Sequence, residues 1–182
     1  MIPREEAMKL VKDNMHSKNL IKHVLATEAV MKALAKELGQ DQEVWAMAGL
    51  LHDLDYEFTK DNFEEHGKKT VEMLESRDLS DDIRDAILAH CEKKERGKLI
   101  EKAIYAADPV TGFIVAAVLI RRGSKLSDID VDFLLNRYKE KSFARGASRD
   151  QMASCTELGM TLEDFLSLSL KAMQEISEDL GL

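Results

Sequence analysis

Six residue positions carry most of the chemistry this chain could perform. His52 and Asp53 stand side by side where the apolar run Ala48–Leu51 stops, and Asp55, Tyr56 and Glu57 follow at once. An imidazole beside a carboxylate offers two ligands to a divalent metal. Neighbouring side chains on a helix point ~100° apart, so the two converge on one point only if they sit at a helix end. The chain has five histidines, at 16, 23, 52, 66 and 90. Adding the acid at 108 gives the order His23, His52-Asp53, His66, His90, Asp108, with gaps of 29, 1, 13, 24 and 18 residues. Nitrogen and oxygen donors of this kind suit Fe, Mn, Co, Ni or Zn better than Ca or Mg. Without a thiolate in the set, a structural zinc site is not expected. His16 reads as a surface residue.

These ligands need helices to hold them, and the pattern is helical nearly throughout. Pro3 with Glu5 and Glu6 opens a first helix that should run to about Met15. Ser17 caps a second helix, whose apolar stripe Leu20, Val24, Met31, Leu34 and Leu38 has His23 beside it. Gly39 ends it. A third helix from about Asp41 delivers His52-Asp53 at its C-terminal end. Residues 54–62 read as a loop. A fourth helix from about Phe63 should carry His66 in its first turn. Ser80-Asp81-Asp82 starts a fifth helix with Ile83, Ile87 and His90 on one face. A helix from about Leu99 should break at Asp108-Pro109, because proline cannot extend the hydrogen-bond ladder. Phe113–Ile120 then reads as a separate, wholly buried helix. Helices over roughly Asp130–Tyr138, after Ser148, and from Thr161 complete the chain; no strand or internal repeat is evident.

Composition narrows the function. Of 182 residues, 45% are hydrophobic and 33% charged, which suits a globular chain with a real core. A single domain over residues 1–182 is expected, with its motif core at about 20–110 and a helical extension at 111–182. The net charge of −8 opposes general nucleic-acid binding, which needs a basic face. It leaves room for a small phosphorylated metabolite or nucleotide in a local basic pocket. Two basic stretches supply candidates for its phosphate oxygens: Lys93, Lys94 and Arg96, and Lys141, Arg145 and Arg149, whose spacing would share one helical face apart from Gly146. Cys91 and Cys155 show no metal-knuckle spacing and read as free thiols of a reducing compartment. Phe113–Ile120 is far short of the ~20 residues of a membrane span. A cytoplasmic protein is expected, with no membrane partner; its oligomeric state stays open.

Taken together, the order His…His-Asp…His…His…Asp resembles the HD superfamily of metal-dependent phosphohydrolases. The string Leu50-Leu51-His52-Asp53-Leu54-Asp55-Tyr56-Glu57 is similar to a small, poorly characterised subgroup. The resemblance implies an all-α helical bundle with a metal site in its core. It implies His23, His52, Asp53 and Asp108 as ligands of one ion, and His66 and His90 for a second that Asp53 bridges. Two divalent transition-metal ions per chain follow. The implied activity is phosphate-ester hydrolysis through a metal-activated hydroxide, with a neighbouring acid, Asp55 or Glu57, protonating the leaving group. Many family members carry a Glu three residues after the Asp of the pair. Tyr56 stands there here, so that acid's role does not transfer cleanly to Glu57. Two alternatives remain open on the same scaffold: a di-iron oxygenase acting on an organophosphonate or polyol, and a non-catalytic module in which metal is structural.

Overall fold

In the computed structural model, residues 1–121 and 123–182 are described. The elements follow in chain order. Helix α1 (Arg4–Asn14) starts directly after Pro3, and α2 (Lys18–Glu37) is capped by the Ser17 hydroxyl, which accepts from the Leu20 amide. Gly39 closes α2 at φ +65°, a conformation that costs glycine little. The Asp41 carboxylate caps α3 (Gln42–Leu51), accepting from the amides of Glu43 (2.9 Å) and Val44 (3.1 Å). Then come α4 (Tyr56–Thr59), α5 (Lys68–Met73), α6 (Asp81–His90) and α7 (Leu99–Leu119). A 3-10 turn at Leu126–Asp128 leads to α8 (Val131–Lys139), capped by Asp130. Helix α9 (Arg149–Ala153), capped by Ser148, runs into a 3-10 turn that Gly159 closes. Helices α10 (Leu162–Glu175), capped by Thr161, and α11 (Ser177–Leu180) end the chain. No strand occurs among the described residues.

The bundle that matters is α2, α3, α6 and α7. Helix α3 lies against both α2 and α6, and α7 lies against α2 and α6. Leu34, Leu50, Leu51, Ile83, Ile87, Ile104 and Phe113 are fully buried between them. The α2–α3 approach is closest at Gly49. A Cβ there would lie 2.7 Å from the Thr27 carbonyl oxygen, so only glycine fits this crossing.

Three expected features change. Helix α5 begins at Lys68, so His66 precedes it in a turn that ends at Gly67. A short helix, α4, occupies part of the expected 54–62 loop. Pro109 does not end a helix. It lies inside α7, which runs 21 residues and absorbs the expected separate helix at 113–120. An interior proline costs ~3 kcal/mol, chiefly a lost hydrogen bond, here the one owed to the Tyr105 carbonyl. Each fully buried large apolar side chain returns ~1.5–3 kcal/mol. Ile104, Val110, Phe113 and Ile114 flank the proline, all fully buried, so packing overrides the local signal.

The continuous α7 also changes the membrane reading of the segment. By length and composition it could cross a bilayer. In this fold 61% of that stretch is buried as the central helix of the core.

Candidate metal centre

The four bundle helices bring the expected ligands to one point. His23 comes from the first third of α2, His52 and Asp53 from just past α3, His90 from the last residue of α6, and Asp108 from mid-α7. His66 enters from the turn before α5. Asp53 lies at the centre. Its Oδ1 is 3.4 Å from His66 Nε2 and 3.5 Å from both His52 Nε2 and His90 Nε2. Its Oδ2 is 3.5 Å from His23 Nε2. Asp108 Oδ1 is 3.1 Å from His23 Nε2 and 3.8 Å from His52 Nε2.

Each imidazole is held from behind by its other nitrogen. His52 Nδ1–H donates to the Gly49 carbonyl at 2.8 Å, and His90 Nδ1–H to the Ile87 carbonyl. His66 Nδ1–H donates to Asp55 Oδ1 at 2.7 Å. His23 Nδ1 lies 2.9 Å from the Thr111 hydroxyl, which itself donates to the Asp108 carbonyl and therefore accepts from the ring. These partners assign the Nδ1–H tautomer throughout and leave every Nε2 lone pair facing inward. His23 Nε2 then faces His52 Nε2 at 3.2 Å, and His66 Nε2 faces His90 Nε2 at 3.1 Å. Lone pair against lone pair is repulsive, and two carboxylates beside them add negative charge. A cation relieves both, so this donor set fits divalent metal.

The protonation energetics carry the same signature. Burial alone would push His23 and His90 down, but Asp108 and Asp53 outweigh it and both rise, His90 well above the usual range. Burial alone would push Asp53 and Asp108 up, yet the facing imidazoles hold both far below the ordinary carboxylate range. The pocket is built to hold positive charge. Two groupings of ligand atoms are tight enough for an ion around Asp53 and Asp108: His23, His52 and Asp108, and His52, Asp53 and His90. His23 and Asp108 keep 21% and 29% of their side-chain surface exposed while His52, His66 and His90 are buried, so the centre opens on the His23–Asp108 side.

The two expected acids are employed elsewhere. Asp55 is fully buried; besides His66 it accepts from the amides of Gly67 (2.7 Å) and Thr70 (3.0 Å). Its oxygens are committed to shaping the His66 turn, so it positions a ligand rather than donating a proton. The Glu57 carboxylate accepts from the amides of Ser17 (2.7 Å) and His16 (3.0 Å), which lowers its pKa and ties α4 to the start of α2. It is a helix-entry cap, not an acid at the metal.

The basic candidates divide. Lys93 pairs with Glu64 at 3.3 Å and lies over the Phe63 ring, next to His66. Lys94 pairs with Glu101 at 3.2 Å. Arg96 stacks on Tyr105 at 3.7 Å, one turn before Asp108. Arg149 spends all five N–H donors on the carbonyls of Tyr138, Glu140, Phe143, Ala144 and Ala147, so it has none for a phosphate. Residues 140–147 form a turn that Arg149 staples rather than a helix, so Lys141, Arg145 and Arg149 do not share a helical face. Lys141 and Arg145 stay exposed in that turn.

The description of the HD domain matches residues 20–120, more than half of the chain. The chain belongs to the HD-domain family. Among curated relatives, Ribonuclease Y of Sulfurovum sp. (strain NBC37-1) is 24% identical over 166 residues, covering 90% of this chain and 33% of that protein. Ribonuclease Y of Bacillus pumilus (strain SAFR-032) is 28% identical over 141 residues, covering 74% of this chain and 26% of that protein. Ribonuclease Y 1 of Pediococcus pentosaceus is 28% identical over 141 residues, with 74% and 27% coverage. The chain thus spans a third or less of the relatives' length. No solved structure matches it. HD membership and these relatives point to a hydrolase in general.

Sequence reasoning missed several supports of this HD domain. Thr111 orients His23, and the backbone carbonyls of Gly49 and Ile87 orient His52 and His90. Thr111 stands three residues beyond Asp108, a spacing that puts both on one helix face only if the helix continues through Pro109.

Proposed function

We propose that this HD domain is a metal-dependent phosphohydrolase with a dinuclear centre that cleaves a nucleotide or another small phosphate ester. One observation carries the reading. The Asp53 carboxylate reaches all four imidazoles, Oδ2 facing His23 and Oδ1 facing His52, His66 and His90, and the inward lone pairs of His23 and His52, and of His66 and His90, face each other. His23, His52 and Asp108 would hold one ion, His66 and His90 the other, with Asp53 shared. A divalent metal so bound supplies an acidified water and polarises a phosphoryl oxygen. The chain's own work is orientation: Asp55, Thr111 and two backbone carbonyls fix four imidazoles before any ligand arrives, so little reorganisation accompanies binding. Neither Asp55 nor Glu57 is free to protonate the leaving group, so that proton comes from solvent at the open His23–Asp108 side.

The name of the relatives brings a ribonucleotide phosphodiester within the substrate class. A net charge of −8 favours a short or mononucleotide substrate over a long polyanion.

Elemental analysis of protein purified without added metal or chelator tests the reading, with His66→Ala and His90→Ala alongside. Close to two transition-metal ions per chain, falling toward one in the variants, together with turnover of phosphate esters or short RNA, is expected. One ion unchanged by the variants removes the second site. No metal under any loading condition overturns the assignment. Iron with strict O₂ dependence would instead make the protein a di-iron oxygenase.

A further inference from the structure

Nothing in the packing of α7 requires a glycine at position 112. Glycine is the least favourable residue for a helix interior after proline, and Gly112 sits well inside this 21-residue helix. Its φ is not in the left-handed region that only glycine enters freely. A Cβ built there would meet nothing within 4 Å, whereas at Gly49 it would strike the neighbouring helix. The place of the open space is informative. Gly112 follows Asp108 by four residues, so it lies one turn further along the same face, ~6 Å along the axis. That is the face on which the metal centre opens.

The residues on either side of Gly112 define two walls. Thr111 meets His23 of α2 at 2.9 Å. Phe113 packs edge-on against Phe143, in the turn between α8 and α9, at 5.6 Å between ring centroids. Helix α2 therefore stands on one side of Gly112 and the 140–147 turn on the other, with bare α7 backbone between them. Beyond Gly112 the same face continues through Val115 and Ala116, both half-buried, to Leu119. Leu119 is 68% exposed, more than any other large apolar side chain among the described residues, and Ile120 beside it is 54% exposed. The strip from Asp108 to Leu119 is ~16 Å long at the helical rise per residue. Residues 109–120 include no charged side chain. Exposed apolar surface that runs without a break out of a polar centre is the mark of a ligand groove rather than of scattered surface residues.

From this arrangement we infer that Gly112 is the floor of a substrate channel along α7, and that it selects phosphate esters whose alcohol is a long apolar chain. The inference rests on the phosphohydrolase reading for the position of the phosphate. With the phosphate at the Asp53–Asp108 centre, the alcohol leaves through the open side and crosses α7 at Gly112, where any side chain would stand in its path. The chain then lies over Val115 and Ala116 and ends on Leu119. The strip has no charge to pair with a charged alcohol, so discrimination is by length and apolarity.

The test uses the full chain loaded with Mn²⁺. Binding of methyl-, butyl- and decylphosphonate, each below its micelle concentration, is measured by calorimetry. Turnover of methyl and decyl phosphate is measured separately. Affinity should rise by about two- to fourfold for each methylene that the strip covers. Gly112→Gln, a good helix former that fills the floor, should abolish the gain from chain length, with metal content reporting an intact centre. Leu119→Gln should weaken decylphosphonate and leave butylphosphonate, whose chain ends short of it, as in the parent. Equal affinity for the three chains, no binding of any, or a gain that survives Gly112→Gln, overturns the channel. Self-association that Leu119→Gln abolishes would also overturn it, by assigning the strip to a second copy of the chain. Length-dependent binding without turnover of either ester keeps the channel and refutes the hydrolase; equal turnover of both esters without a length-dependent gain does the reverse.

Discussion

Asp55 Oδ1 and His66 Nδ1 meet in a 2.7 Å hydrogen bond inside the protein, with Asp55 wholly shielded from water. The carboxylate holds the ring in one tautomer and raises the basicity of the nitrogen that faces Asp53. Replacing Asp55 with Asn keeps the shape but puts a donor where two amides and a ring N–H all need acceptors. Metal affinity at the His66 side should fall by about 10- to 100-fold, the usual cost of losing such a partner. Titration of metal-free protein with Mn²⁺ or Fe²⁺ checks this. Unchanged affinity for both ions would show that Asp55 serves only the backbone turn.

Arg149 should matter to stability and not to turnover. Its five N–H donors fan over five carbonyls of the 138–147 segment. Lysine has three donors on a point charge and cannot reproduce that fan. Arg149→Lys should therefore lower stability by about 1–3 kcal/mol, the cost of leaving such acceptors unmade. The KM for any phosphate substrate should stay where it was. A raised KM with unaltered melting would return Arg149 to the substrate site.

Gly49→Ala should be costly although alanine favours helix. The new methyl would lie 2.7 Å from the Thr27 carbonyl oxygen and 2.9 Å from the Glu28 nitrogen, both backbone. Helix propensity returns at most ~1 kcal/mol. Forcing apart two packed helices costs ~1–3 kcal/mol or more. The balance is unfavourable, and it also moves His52 away from His23. Gly112→Ala, where nothing lies within 4 Å, is the matched control and should stabilise slightly. Thermal melts and metal content of both variants decide the matter.

Stability should depend on pH with opposite signs with and without metal. In metal-free protein His23 and His90 titrate above their unfolded value of ~6.5. Their stabilisation is complete below ~6.5 and is lost as pH rises through the folded values. Asp53 and Asp108 are depressed, so theirs is present above ~3.9 and lost as pH falls through the folded values. Metal replaces the protons, so metal affinity rises over the same neutral range. Melting should drop from pH 5.5 to 8.5 with chelator and climb with saturating Mn²⁺. Parallel shifts in the two conditions would exclude proton–metal exchange at this centre.

What the sequence determined by itself was the inventory: which residues could ligate, in what order, and that helices would carry them. Side-chain type and 3.6-residue periodicity are local properties, so His23, His52, Asp53, His90 and Asp108 were legible, as were the helix starts at Ser17, Asp41, Ser148 and Thr161. What only the tertiary structure decided was what each acid and cation is for. Asp55 and Glu57 look alike in sequence. One faces the His66 turn and the other the start of α2, because packing sets their directions. Pro109 signals a helix end locally, yet the buried side chains around it outweigh the lost hydrogen bond, and the continuation of α7 is what brings Thr111 behind His23. Arg149 had the charge for a phosphate, but the geometry of the neighbouring carbonyls claimed all its donors. Partner choice depends on contacts distant in the chain, and no spacing rule encodes those.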